Sequence, residues 1–470
     1  MFTVQDSMIQ SVINLSMGEL KEGSMLTKSW ANIPLPINAC FNLFGIQNGK
    51  KFLSGSKPYL IEYGPFCYFL GRKRRILKFL NETLIFNERL TFEFNPKKSV
   101  SMETKMNVIN FPIFISVMFA KSILEKFHVD FIGALVYNAI TMALRITGES
   151  LIDKSTPKEM LEGKPIRILE YLDIFLKPLR ALGIPIPRYF GAGGLQLTNH
   201  SFGFVSTLSS GEVGPFEAYT KTVGMEHLVG DIKKFQGIPA FPSWEGPCNR
   251  MTGGDGMFWR RPVESERLTL YLNIACRLLP LVREYEYYFN SAKVVRYIID
   301  RQMFNMSLTQ NHCFCQKNKL RQCDGWQSIS PCLAWLPVGF SFPHFYQSPN
   351  LASLVNGFNS SKDLDEGFID LEPLIGSPVN ARIGIQGLLE IKRVNWVPSL
   401  NSLPYVLLPI FSLQISAGAT DILAILLGIG SNLVRYGSFI WLFGGLGVSA
   451  YLYRCSVQQR KMFNQIRNQT

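Results

Sequence analysis

The stretch HCFCQKNKLRQCDGWQSISPC, from His312 to Cys332, holds Cys313, Cys315, Cys323 and Cys332. With Cys248 and Cys276 upstream it completes an even set of six confined to one segment of the chain. Even counts at close spacing point to a disulfide framework, and disulfides persist only in an oxidising compartment. Further on, Tyr436 to Tyr453 is an apolar run of 18 residues with no charge, about the minimum that crosses a bilayer. Together these features describe an ectodomain held outside the cytosol and tethered near its C-terminal end. That is a receptor-like architecture.

The chain of 470 residues has room for up to three average domains or one large β-rich domain. Its 35 phenylalanines and sparse charge, 18% of residues, suit a large core or a lipid-facing cavity and argue against disorder. The net charge of +13 is partly local: Arg72-Lys73-Arg74-Arg75 supplies four, and Arg454, Arg460, Lys461 and Arg467 supply four more. The tail charges place the C-terminus in the cytoplasm. Three readings compete for Arg72–Arg75: an exposed strand or turn face, a nuclear address, and a dibasic processing site. Aromatic and glycine neighbours on both sides read as strands, which favours the solvated face. No zinc-finger spacing, basic helix or stacking platform accompanies the charge, which reads against nucleic-acid binding.

Met1 to Asn14 is polar and amphipathic, without the apolar core of a signal peptide. Phe111–Ala120 and Phe131–Leu144 fall short of bilayer length, and Arg145 closes the second, so both read as buried helices. An anchor only at the C-terminal end would leave the cysteine-rich body in the cytosol. The reading therefore expects an N-terminal signal-anchor that this sequence lacks. Five sequons, at Asn14, Asn81, Asn199, Asn305 and Asn359, agree with a lumenal or extracellular body. A sixth, at Asn468, falls in the expected cytoplasmic tail.

From Ile37 to Phe94 apolar and polar residues alternate, with turn signals at Gln47-Asn48-Gly49, Ser54-Gly55 and Tyr63-Gly64-Pro65. That pattern predicts short antiparallel strands. Between Phe111 and Leu182 the period becomes helical, with Lys121, Glu125 and Lys126 on the polar side of the first helix. A second helix is predicted over Asp130–Ile146 and a third over Ile166–Leu179, after a polar linker with Lys154 and Lys158. Strands resume from Gly191 to Glu390. The helical block thus reads as a cap inserted in a β chain. The expected layout is an ectodomain over 1–415, with the cap at about 108–182 and the disulfide region at 248–332. A juxtamembrane segment 416–435, a transmembrane helix 436–453 and a cytoplasmic tail 454–470 follow.

Several local patterns agree in order and spacing. They include Gly64-Pro65-Phe66-Cys67-Tyr68, Phe202-Gly203, Glu217-Ala218-Tyr219-Thr220, Trp244-Glu245-Gly246-Pro247-Cys248 and Gly253-Gly254-Asp255-Gly256. Ile274-Ala275-Cys276-Arg277, His312-Cys313-Phe314-Cys315, Phe342-Pro343-His344-Phe345 and Leu371-Glu372-Pro373-Leu374-Ile375-Gly376 complete the set. This sequence closely resembles the class B scavenger receptor family, which includes the fatty-acid translocase, the lysosomal integral membrane proteins and the sensory neuron membrane proteins. The likeness covers essentially the whole chain after residue 5.

The resemblance implies a mainly β fold: a large antiparallel β-barrel with an inner apolar tunnel and a distal helical cap that captures lipid or lipoprotein. It implies two membrane spans with both termini cytoplasmic. It also implies the pairings Cys248–Cys313, Cys276–Cys332 and Cys315–Cys323. The first two would close loops of more than fifty residues, worth roughly 4 kcal/mol each in the chain-entropy model. A zinc site at His312-Cys313-x-Cys315 is the rival, but zinc ligands come in separated pairs and the compartment is oxidising. Cys40 and Cys67, both on predicted strands, stay open between a cross-strand bond and buried thiols. Cys455, just inside the membrane, is a palmitoylation candidate.

Cap residues Lys121, Lys126, Lys154, Lys158, Lys164 and Arg167 are the candidate contacts for fatty-acid carboxylates or anionic lipoprotein surfaces. Glu125, Glu149, Asp153, Glu159 and Glu162 share that block and bring it near neutrality, which weighs toward solvated side chains. There is no Gly-x-Ser-x-Gly elbow, no His-Glu-x-x-His and no Gly-rich phosphate loop, so no enzyme, metal or cofactor is expected. His344 reads as a hydrogen-bonded core histidine; Asp363, Asp365 and Glu366 read as an exposed loop. Asp370 and Glu372 form a carboxylate pair with neither base nor metal partner. The functional expectation is a glycosylated receptor that binds fatty acid, sterol, phospholipid or lipoprotein at its cap and passes it through the tunnel toward the bilayer. The alternative is a sorting or recognition receptor whose cap grips a partner protein or cell debris. Cys455 to Thr470 lacks an acidic dileucine signal, which favours the plasma membrane over lysosomal or endosomal membranes.

Overall fold

Strand-forming alternation between residues 37 and 94 produces β1 (Ile37–Ile46), β2 (Leu60–Phe79) and β3 (Thr83–Phe94). The structure, a computed structural model, describes residues 19–33, 36–126, 133–167, 177, 181, 201–221, 228–257, 259, 265–289, 292–315, 320–333, 336–373, 376–394, 398–418 and 447–458. Successive strand side chains point to opposite faces, so Ala39, Phe41 and Leu43 are buried while Asn38, Cys40 and Asn42 between them are only partly so. Tyr63-Gly64-Pro65, expected to turn the chain, lies inside β2. The register with β1 slips there, from Leu43 opposite Tyr63 to Phe41 opposite Phe66. The extra residue bulges out, with Gly64 at φ +145°, and a bulge is where a strand tolerates a proline that lacks an N–H. Turns and bulges draw on the same residue types, which is why the signal misread.

The helix α1 (Met25–Ala31) precedes β1, N-capped by the Ser24 hydroxyl. The helical block begins from a ribbon in which β4 (Met106–Ile109) pairs with β5 (Ile152–Ser155). Between them run α2 (Phe111–Lys126) and α3 (Gly133–Thr147). The expected polar linker is therefore β5 itself, followed by α4 (Pro157–Glu162), whose first turn carries a capping box between Thr156 and Glu159. The predicted start of the second helix, at residues 130–132, and most of the predicted third helix lie outside the described residues. A second ribbon joins β6 (Lys164–Pro165) to β7 (Ser201–Phe202), and α5 (Phe204–Leu208) follows.

The remaining strands are β8 (Glu212–Tyr219), β9 (Ile232–Phe235), β10 (Arg267–Leu272), β11 (Arg277–Phe289) and β12 (Ala292–Ile299). They continue with β13 (Gln327–Ser328), β14 (Val338–Ser341), β15 (Phe368–Leu371), β16 (Pro378–Ile391) and β17 (Val406–Gly418). The main sheet runs β10-β11-β12-β15-β16-β17-β1-β2-β3-β8-β9, with β14 on β16 and β13 on β14. Its ladders are antiparallel.

The two ends of this order nearly meet. Gly253 bridges to Ile232 of β9 and Gly254 to Leu270 of β10, so one glycine pair links the first strand to the last and covers two edges that would otherwise be open. Only glycine fits: a Cβ on Gly254 would lie 2.3 Å from Trp259 Nε1, and one on Gly253 2.7 Å from the Leu278 side chain. Inside, Phe41, Leu43, Leu281, Val295 and Tyr297 are fully buried in one cluster that extends under α2 and α5. Each such side chain contributes about 1.5–3 kcal/mol of burial. A second cluster gathers Trp30 of α1 with Phe86, Phe216, Phe241 and Tyr271. No helix among the described residues is long and apolar enough to cross a membrane, and residues 436–446 of the apolar run lie outside them.

Candidate functional site

The inward faces of β1, β2, β3, β16 and β17 surround a cavity of about 480 Å³, within the range of small-molecule sites. Phe41, Ile383, Ile385, Phe411, Leu413 and Ile415 form its apolar wall, and Phe111 and Ile115 of α2 reach it from the helical block. The alternation that buries Phe41 and Leu43 also aims Leu70 and Arg72 of β2 inward, two residues apart on one strand face.

That placement corrects the expectation for the basic run. Lys73 and Arg75 are exposed, but Arg74 is buried and Arg72 lines the cavity. Arg72 Nε donates to Glu88 Oε2 at 2.5 Å and its Nη1 to the Asp255 carbonyl at 2.8 Å. Arg74 Nε donates to the same Glu88 oxygen at 3.2 Å, and its Nη1 lies 2.9 Å from both Asp255 Oδ2 and the Trp30 carbonyl. Trp30 Nε1 donates to Asp255 Oδ2 at 2.5 Å, while the Met257 N–H donates to Oδ1 at 2.9 Å. The Arg74 guanidinium sits 4.2 Å from the Trp30 ring centroid, a cation–π contact out of water.

Burial by itself would raise the Glu88 pKa, but Arg72 and Arg74 hold it below the ordinary carboxylate range. Arg74 is lowered, first by burial and then by Arg72, while Glu88 and Asp255 outweigh burial at Arg72 and raise it. Asp231 is pushed up to about 8 by burial and by the charge on Asp255. Two arginines and two carboxylates thus cancel beside the cavity. Sequence reasoning missed this cluster. Its signal was the strand period through Leu70-Gly71-Arg72-Lys73-Arg74, together with Glu88 opposite Arg74 across the hairpin.

The cap candidates are spread over α2, β5, α4 and β6. Lys121 is half-buried on α2, Lys154 and Lys158 are exposed, and Lys164 is paired with Asp153 at 2.7 Å. Arg167 is exposed, with its backbone N–H bonded to Glu149. Lys126 ends α2. Cys248–Cys313 and Cys315–Cys323 are disulfides, and so is Cys40–Cys67, which joins directly opposed residues of β1 and β2. Cys276 and Cys332, which the resemblance pairs, are thiols in hydrogen-bond contact. They are placed for a bond but not joined. Asn81 and Asn359 are exposed, whereas Asn305 is half-buried with its amide donating to Gln302 at 2.6 Å. Asn14 and Asn199 lie outside the described residues. Cys455 lies on the helical segment 447–458.

Two sets of acidic residues prove structural. Asp365, expected in an exposed loop, is buried: it accepts from the Ser361 N–H at 2.7 Å and contacts His344 Nδ1 at 2.8 Å. His344 Nε2 meets Glu62 at 3.1 Å, so the imidazole clamps the start of β2 to the 361–365 turn. Burial would lower the His344 pKa, but Asp365 and Glu62 raise it to about 9. Asp370 is fully buried and takes a two-pronged 2.7 Å pair from Arg296, with Tyr287 donating at 2.8 Å. Glu372 is buried as well.

Barrel, disulfides and apolar cavity together describe a braced β shell around an enclosed chamber, and the described residues bring no metal-holding cluster together. The chain belongs to the CD36 family, which it matches over residues 1–455. It is 27% identical to scavenger receptor class B member 1 of Bos taurus over 416 residues, 86% of this chain and 75% of the relative. The Sus scrofa counterpart is 26% identical over 416 residues, with the same coverage. Sensory neuron membrane protein 2 of Manduca sexta is 22% identical over 429 residues, 86% of this chain and 79% of that protein. The chain is a member of a membrane receptor family and not an enzyme.

Proposed function

We propose that this protein is a membrane-anchored receptor that binds a hydrophobic ligand, lipid or lipoprotein-borne, at its helical cap and passes it through the barrel toward the bilayer. The observation that carries this reading is the apolar cavity inside the barrel, reached by Phe111 and Ile115 of the helical block. A long acyl chain loses about 0.8 kcal/mol per methylene on entering water, so transfer demands a path shielded from it. Residues 436–453 supply the C-terminal anchor, 454–470 the cytoplasmic tail, and the cell surface is the site of action. The glycosylated sequons and a fourth bond, Cys276–Cys332, belong to the same oxidising compartment.

Mass spectrometry of lipids that co-purify with the secreted segment 5–415 tests the proposal. Stoichiometric fatty acid, sterol or phospholipid supports it. A folded, correctly bridged but empty protein would turn the reading toward a receptor for a partner protein. Deleting residues 111–182 should abolish ligand uptake while the Cys248–Cys313 and Cys315–Cys323 bonds still form; uptake by the deleted form would refute the role of the cap.

A further inference from the structure

The cavity has two ends, and strand register says what stands at each. At one end Phe204 of α5 lies 4.5 Å from Phe411 between ring centroids, and Phe411 is opposite Leu43. From Leu43, β1 runs back to Ile37, about 20 Å of strand. The wall at that far end includes Ile33, Ile37, Arg72, Glu88 and Met257. β17 stops at the same level, with Ala417 opposite Ile37, and the apolar run 436–453 follows it in the chain. The end remote from the helical block is thus the one beside the proposed anchor. Residues 20–33 cross it. The Leu20 N–H donates to the Thr220 carbonyl at 3.2 Å, Gly23 turns the chain at φ +75°, α1 follows, and Asn32 bridges to Lys73 of β2.

We propose that α1 is a gate at this end of the chamber, latched by Trp30 on Asp255, and that hydrophobic cargo leaves toward the bilayer when α1 lifts off β2. This rests on the reading of the cavity as a lipid conduit. The other walls are continuous strands that cannot part without breaking ladders, whereas α1 joins the sheet through the isolated Asn32–Lys73 bridge. Behind Trp30 the rings of Phe86 and Phe216 follow at 4.9 and 5.3 Å, and both belong to paired strands, β3 and β8. The buried residues of α1 are Thr27 and Trp30, while Met25 is 84% exposed. Trp30 fastens the helix twice: its Nε1 donates to Asp255, and its carbonyl accepts from Arg74 Nη1. Releasing it leaves the ions paired. Asp255 keeps Arg74 and the Met257 N–H, both at 2.9 Å, and Arg74 keeps Glu88 at 3.2 Å. Opening therefore costs the burial and bonds of one indole, and strands no charge in the interior.

The test locks the gate reversibly in the full chain held in lipid nanodiscs. Asn32 and Lys73 are exposed and directly opposed, a spacing that a disulfide can span, so Asn32→Cys with Lys73→Cys crosslinks α1 to β2. The probes are dehydroergosterol and hexadecanoate carrying a terminal nitrobenzoxadiazole. Energy transfer from protein tryptophan reads binding, and transfer from the probe to an acceptor lipid in the disc reads delivery, with empty discs as baseline. The crosslinked form should bind like wild type and deliver at least about tenfold more slowly, because its open state is removed. A mild reductant that leaves wild-type delivery unchanged should restore it. Trp30→Phe keeps an aromatic ring but loses the bond to Asp255, and should speed delivery by about tenfold, the scale of one charge-assisted hydrogen bond. Should the cysteine pair misfold, that variant still decides: delivery no faster than wild type overturns the latch. Normal binding with undiminished delivery in the crosslinked form overturns the gate and leaves the conduit standing. Loss of binding on crosslinking, regained on reduction, makes α1 an entrance and overturns the exit. Binding of neither probe by the wild type overturns gate and conduit together.

Discussion

Asp255 is the residue on which the inner ion cluster turns, and Asp255→Ala should destabilise the barrel severely. Its carboxylate takes the Trp30 indole at 2.5 Å, Arg74 at 2.9 Å and the Met257 N–H at 2.9 Å. Both Arg74 and Asp255 side chains are wholly inaccessible. The substitution takes one of its two carboxylates from a buried guanidinium that already has Nη2 unsatisfied, leaving it Glu88 alone. Removing one partner of a buried pair costs about 3–5 kcal/mol. With about 2.1 cal/mol/K of unfolding entropy per residue over roughly 350 described residues, that lowers Tm by about 4–7 °C. Tryptophan-fluorescence melting of the purified chain reads this directly, and Trp30 reports on the site itself. Glu212→Gln is the control: it breaks the exposed Arg75–Glu212 pair of the same basic run and should leave Tm within error. Replacing Arg74 as well, as Arg74→Met with Asp255→Ala, should recover most of the loss, because the stranded charge goes with it. Equal melting shifts for Asp255→Ala and Glu212→Gln, or no recovery in the double variant, would refute the buried-cluster account.

Four further outcomes are expected. His344 has a folded pKa of about 9, above its ordinary value of 6.5, so its clasp on Glu62 and Asp365 stabilises fully below about pH 6.5 and is lost as pH rises through 9. With solvent screening allowed for, this is about 1–2 kcal/mol, and the stability gap between wild type and His344→Gln should close on alkaline titration. Peptide mapping of protein from the secretory pathway should recover a Cys276–Cys332 crosslink; alkylation of both thiols in the folded protein would count against it. Asp370→Asn removes the ionic half of the Arg296 fork and should cost about 2–4 kcal/mol in denaturant unfolding, whereas Asp363→Asn, in the 361–365 turn, should cost nothing measurable. Gly254→Ala drives a Cβ to 2.3 Å from Trp259 Nε1 and should cost about 1–3 kcal/mol, with hydrogen exchange rising first in β9 and β10.

The chain's β character, its helical insertion and its clustered cysteines were legible in the sequence, because each is written in neighbouring residues. Period-two alternation in Ile37–Ile46 specifies a strand, and the helical period after Phe111 specifies α2, whatever surrounds them. The absence of a catalytic motif was equally plain. What alternation cannot say is which of a strand's two faces meets the core, since that depends on register with strands far away in the chain. Arg72 and Arg74 looked like a solvated run for this reason. They became interior only when Asp255, 183 residues beyond Arg72, and Trp30, 225 residues before Asp255, closed around them. Asp365 likewise needed His344 beside it, and the Gly253–Gly254 pair acquired its meaning once β9 and β10 came round to meet there. Short-range chemistry chose the elements. Pairing between distant segments chose the inside of the barrel and, with it, the polar edge of the cavity.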